Sequence, residues 1–151
     1  MDNYDTACFE EWLGKLKDSK SVSFSNEVFS KGAYGIWYET PTNEFKCLKV
    51  GIATGKGGLG KRICDHLISN PRSSVLAKHL SQDEGILRER KIDLKTAEGR
   101  RQFLTKFCYL KIVSLADTSD KEVRSFERFL EQELEPRYVR RVKRCQSSSD
   151  S

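Results

Sequence analysis

At 151 residues, with 37% hydrophobic and 32% charged side chains, the chain is sized for a single domain. A domain of that length buries roughly two-thirds of its unfolded surface, so it needs no disulfide or metal staple. Its 27 Lys and Arg against 22 Asp and Glu give a net charge of +5, a balance that favours a polyanionic partner although ordinary solvation also accounts for it. Cys8, Cys47, Cys64, Cys108 and Cys145 form no CxxC pair, and His66 and His79 are the only histidines, which argues against a structural zinc site. With no apolar leader and no apolar run approaching about eighteen residues, we expect a reduced, soluble, intracellular protein of the cytosol, nucleoid or nucleus with no membrane partner.

In chain order, residues 4–17 carry Phe9, Trp12, Leu13 and Leu16 at helical spacing and predict an amphipathic helix. Aromatic and β-branched residues in 33–38 and 45–53 flank a Pro41-Thr42-Asn43 turn and predict an antiparallel hairpin. A glycine-rich loop follows, and then Leu59, Ile63 and Leu67 mark a helix that Asn70-Pro71 ends. A short helix is expected over 75–80, and 81–95, with mixed charge and no clean period, reads as loop. Thr96 is placed to cap a helix reaching about residue 106, and 107–115 has strand composition. Ser119 and Glu122 form a capping box before a last helix bearing Val123, Phe126, Phe129, Leu130 and Leu134 on one face, which Pro136 stops. The implied fold class is α+β, a small three-stranded antiparallel sheet flanked by helices, in one domain over 1–145 with a polar, disordered tail over 146–151.

Two basic stretches stand out. Arg137, Arg140, Arg141, Lys143 and Arg144 crowd near the C-terminus, and Arg88, Arg90, Lys91, Lys95, Arg100 and Arg101 form a second group. Clustered cations are what a phosphate backbone neutralises through counterion release, although each cluster alone also fits a solvated surface.

The glycine loop admits three readings. Gly55 to Lys61 fits the opening of a nucleoside-triphosphate loop, but Arg62 stands where a Ser or Thr must ligate magnesium. Gly55, Gly57 and Gly60 fit a dinucleotide fingerprint, yet no parallel strand or ribose-binding acid follows. The third pattern reaches beyond the loop: Gly32-Ala33-Tyr34, then Lys49-Val50-Gly51, then Arg62 with His66 one helical turn on, then Glu127 on the last helix, closed by Pro136-Arg137-Tyr138.

In order and predicted secondary structure this third pattern resembles the GIY-YIG nuclease family over 32–138. Ala33 replaces the middle of the first tripeptide, Lys49 replaces the Tyr of the second, and Val139 stands where Asn is frequent. The resemblance implies a metal-dependent DNA endonuclease, restriction-type or stand-alone, with DNA as partner, a homodimer where both strands are cut, and no organic cofactor.

It further implies that Glu127 binds one Mg²⁺ or Mn²⁺, a hard cation served by a carboxylate, waters and a phosphate oxygen. Tyr34 would be the general base or the group that orients the water, with Lys49 favouring its phenolate. Arg62 would grip the scissile phosphate, and His66 would relay a proton or contact phosphate. Lys56, Lys61, Arg137, Arg140, Arg141, Lys143 and Arg144 are the expected backbone contacts on DNA. Two alternatives remain at this stage: a binding module of the same fold that lost catalysis through Lys49 and Val139, and a nucleotide-binding protein using the Gly55 to Lys61 loop.

Overall fold

The computed structural model describes residues 6–22, 31–54 and 75–138. Its elements run α1 (Thr6–Asp18), β1 (Gly32–Glu39), β2 (Phe45–Ala53), α2 (Val75–Ser81), α3 (Glu84–Arg90), α4 (Ala97–Phe107), β3 (Cys108–Ser114) and α5 (Asp120–Leu134). The architecture is α+β, with one open antiparallel sheet in the order β2-β1-β3. The expected helix after the glycine loop, the loop itself and the basic tail beyond Tyr138 lie outside the described residues.

The hairpin closes at its predicted turn. The Asn43 amide donates to the Thr40 carbonyl at 2.9 Å, and Asn43 enters the left-handed region at φ 67°, a conformation that asparagine tolerates better than most residues. Between Ile36 and Trp37 the register slips: Ile36 pairs with Lys49 but Trp37 pairs with Cys47, which leaves Leu48 as an extra residue. The bulge has a direct effect on the core. Leu48 and Val50, two apart in an unbroken strand, would share a face. Here Leu48 packs with Tyr34 and Ile36 on one side, and Val50 with Ala33 on the other.

The sheet therefore separates two cores. On the first face Tyr34, Ile36, Tyr38 and Leu48 meet Leu76 and Leu80 of α2, Ile86 of α3, and Phe103 and Leu104 of α4. On the second face Ala33, Val50 and Val113 meet Phe9 and Leu16 of α1 and Val123, Phe126 and Leu130 of α5. A central strand buried on both sides accounts for the nearly continuous burial of β1.

The predicted caps are present. Thr96 accepts from the Gly99 amide at 3.0 Å and Ser119 from the Glu122 amide at 3.2 Å, each satisfying an orphan donor of its helix. The α5 helix ends as Glu135 turns left-handed at φ 48°, immediately before Pro136.

One expectation is corrected. Residues 81–95 are not a loop, because α3 occupies Glu84–Arg90, with the Asp83 side chain accepting from the Ile86 amide at 3.0 Å and Lys91 closing it in the left-handed region. Two turns are too short to display a helical period, and this helix is held by a fully buried Ile86 in the first core rather than by propensity.

The basic stretch from Arg88 to Arg101 is also not one solvated face. Arg100 is buried and donates Nη1 to the Leu94 carbonyl at 3.0 Å. Arg90 donates Nη2 to the Glu39 carbonyl at 2.6 Å, and its guanidinium lies 4.0 Å over the Phe107 ring. Among the described residues no helix is long and apolar enough to cross a membrane.

Candidate functional site

Tyr34 and Lys49 are brought to one face of the sheet by pairing. Tyr34 lies opposite Gly51, and Lys49 lies opposite Ile36, two residues along each strand. Paired residues in an antiparallel ladder present their side chains on the same side, and a diagonal pair stands about 7–8 Å apart. The bulge at Leu48 is what gives Lys49 this register. Without it, the next residues of β2 would alternate onto the opposite face.

Gly51 sets the position of the Tyr34 ring. A Cβ built on Gly51 would fall within 2.8 Å of Tyr34 Cε2 and closer still to the phenol end, so the ring lies flat across the glycine toward the outer strand. Both Tyr34, 1% exposed, and Lys49, 7% exposed, are buried, and neither lacks a partner. A buried ammonium near a buried phenol is electrostatically consequential, because the interior screens their interaction far less than water does.

Glu127 sits half-buried on α5 beside Phe126, on the second face. Val50 and Ile52 of β2 belong to the same core as Val123, Phe126 and Leu130, so the middle turns of α5 lie against the strand segment that contains Gly51. Tyr34 and Lys49 therefore lie on the first face of the sheet while α5, which carries Glu127, packs on the second, so the structure does not bring the three to one side.

The chain itself passes around that edge just beyond α5. The Arg137 amide donates to the Cys47 carbonyl and the Tyr138 amide to the Leu48 carbonyl, both at 3.0 Å, which caps the bulged part of β2. Tyr138 thereby enters the first core, and its hydroxyl donates to Asp83 Oδ2 at 2.5 Å. Arg137 grips the same carboxylate with Nε at 2.7 Å and Nη2 at 2.9 Å.

Burial alone would raise the pKa of Asp83. The donors of Arg137, Tyr138 and the Ile86 amide outweigh it and hold the carboxyl below the usual range. Burial, reinforced by the Asp83 carboxylate, pushes the Tyr138 phenol well up and keeps it a donor. Asp83 thus ties α3 to the segment after α5.

Arg137, expected on DNA, spends its guanidinium on Asp83 and is half exposed. The other expected contacts, Lys56, Lys61, Arg140, Arg141, Lys143 and Arg144, lie outside the described residues, as do Arg62 and His66. Asp83 was missed because its helix reads as loop, although an Asp followed by Glu84 and by Ile86-Leu87 is a helix-start signal.

Burial pushes the Cys47 thiol up to about 12 and that of Cys108 higher, so neither is a thiolate nucleophile at neutral pH. Among the described residues no three His, Cys, Asp or Glu side chains gather as a metal cluster. Comparison of the chain with protein families, curated proteins and solved structures finds no match.

Proposed function

We propose that the protein is a metal-dependent DNA endonuclease of GIY-YIG type. The observation that carries this reading is the Tyr34 ring laid across Gly51, with Lys49 turned by a bulge onto the same face. The two tripeptides that suggested the family from sequence lie on paired strands and meet at Tyr34 and Gly51, and Tyr34 and Lys49 share a side of the sheet.

Phosphodiester hydrolysis requires a deprotonated, aimed water and neutralisation of the charge that builds on phosphorus. Tyr34 holds and deprotonates the water in this reading. An unperturbed phenol, at about pKa 10, needs a nearby cation to act near neutrality, and Lys49 supplies it. Arg62 binds the scissile phosphate with two donors, and His66 accompanies it one turn along the same helix.

A half-buried carboxylate such as Glu127 fits Mg²⁺ or Mn²⁺, which are commonly held by one or two carboxylates together with water and substrate phosphate. The metal would neutralise developing charge on the phosphate.

Purified protein is expected to nick or cut supercoiled plasmid with Mg²⁺ or Mn²⁺ and to stop with chelator. Binding of plasmid with no cleavage under any divalent ion would replace this reading with a binding module. Saturable binding of a fluorescent ATP analogue, lost in Lys61→Ala, would instead favour the nucleotide-binding alternative.

A further inference from the structure

On the second face of the sheet the cover supplied by α1 and α5 stops short. Ala33, Val50 and Val113 are packed beneath these helices, but toward the hairpin turn the same face carries aromatic side chains in the open. Phe45 of β2 is 59% exposed and Tyr109 of β3 is 37% exposed, the large hydrophobic side chains that stand out of the surface among the described residues. With Trp37 of the central strand they line a groove of about 600 Å³.

Trp37 pairs directly with Tyr109, and the rings of Phe45 and Tyr109 meet edge-on with centroids 5.5 Å apart. Gly35 leaves the space on which the Trp37 indole lies, since a Cβ there would come within 2.6 Å of the ring. The aromatics thus form one row across all three strands: Trp37 is half-buried against the second core, and Phe45 and Tyr109 extend the row into solvent.

The groove is cationic as well as aromatic. Lys17 and Lys111 line it, and its lining includes no carboxylate among the described residues. Lys111 Nζ stands 5.7 Å from the Trp37 ring centre and donates to the Lys17 carbonyl at 2.6 Å. An ammonium has three donors, so this fixed amine keeps capacity for an anion. The adjacent acid, Glu39, accepts from the Tyr109 hydroxyl at 2.9 Å, which orients the phenol ring.

We infer that this groove is a binding site for single-stranded DNA, with unstacked bases on Phe45, Tyr109 and Trp37 and phosphates on Lys111 and Lys17. Aromatic side chains interleaved with lysines are the chemistry that binds single strands without sequence preference, because every base has a π face. Lys111 and Tyr109 are two residues apart on β3, about 7 Å along the strand, which suits a phosphate and its own base. A duplex hides its base faces in the stack and offers only backbone to such a surface, so the site selects frayed, flapped or cleaved strands. The inference does not depend on hydrolysis, and it adds a stacking site to the backbone contacts expected of a nuclease.

The test uses the full chain carrying Glu127→Ala, in chelator, so that no cleavage intervenes. Trp12→Phe leaves Trp37 as the remaining tryptophan of the two in the chain and makes its emission the probe. An oligothymidylate should quench Trp37 and bind about ten-fold tighter than an abasic strand of equal length. Phe45→Ala, at an exposed position, should erase that preference while circular dichroism and residual backbone affinity stay unchanged.

Equal affinity for the thymidylate and abasic strands, or a preference untouched by Phe45→Ala, would overturn the inference. So would sedimentation showing a dimer that Phe45→Ala dissociates, which assigns the groove to a second copy. Plasmid cleavage without any thymidylate preference would remove this site and leave the nuclease reading intact. A thymidylate preference without cleavage would do the reverse.

Discussion

The two faces of the sheet solve the same burial problem differently. On the first, polar groups are drawn in and tied: Asp83 holds Arg137 and Tyr138, Arg90 reaches the Glu39 carbonyl, and Tyr38 donates to Glu89 at 3.0 Å. On the second, a purely apolar and aromatic core of Phe9, Trp12, Phe126 and Phe129 covers part of the sheet, and the rest is left open with Trp37, Phe45 and Tyr109. A face closed by directional bonds is fixed in geometry, which suits placing Tyr34 and Lys49 to fractions of an ångström. A face left open keeps area for a partner but contributes little to stability. The contrast teaches how much one bulge decides, since it puts Leu48 of β2 in the first core while its neighbour Cys47 packs against the second.

The largest effects should come from Tyr34 on the first face and Glu127 on the helix that covers the second. Tyr34→Phe and Glu127→Ala are each expected to lower plasmid cleavage by about 10²-fold or more while thermal unfolding shifts little. Full activity in either variant would remove that residue from the mechanism.

Breaking the clasp is next. Asp83→Asn keeps an N-cap but leaves Arg137 without its charge partner, and should cost about 2–3 kcal/mol in urea unfolding. Because the folded Asp83 carboxyl is depressed, its contribution is complete above the unfolded value near pKa ~3.9 and fades as pH falls through the lower folded value. Asp83→Asn should therefore flatten the acid limb of the stability profile. An unchanged limb would show that the clasp contributes nothing there.

Gly51→Ala should cost about 1–3 kcal/mol, since its methyl enters the space of the Tyr34 ring. Adding Tyr34→Ala should make the pair of changes less than additive, a coupling readable in a double-mutant cycle. Simple additivity would mean the ring is not seated on the glycine.

Ser119→Ala removes an amide acceptor at the start of α5 and should cost about 1 kcal/mol. The smallest effect belongs to the open face. Phe45→Ala should change stability by no more than about 0.5 kcal/mol, as expected of an exposed side chain. A larger loss would mark Phe45 as part of the core and erase the distinction between the faces.

Much of this was legible along the chain because it is local. The hairpin turn at Asn43, the caps Thr96 and Ser119, the apolar face of α5 and the stop at Pro136 depend on residues within a few positions of one another. Steric and hydrogen-bonding preferences act at that range, so pattern reveals them. That the strands carrying Tyr34 and Lys49 pair as a hairpin was legible too, since a short turn joins them, but their register was not.

What the sequence alone determined is the α+β class, most element positions and the residue types available for chemistry. Only the tertiary structure decided the bulge that turns Leu48 and Lys49 together, the helix at Glu84–Arg90, and the fates of Arg90, Arg100 and Arg137, which read as surface cations but are bound within the fold. It also decided that Phe45 and Tyr109, distant in sequence, stand exposed beside a half-buried Trp37 in one groove. The physical reason is the same throughout. A side chain's face, partner and exposure follow from contacts closed by residues far along the chain, whose free energy outweighs the local preferences that a linear reading weighs.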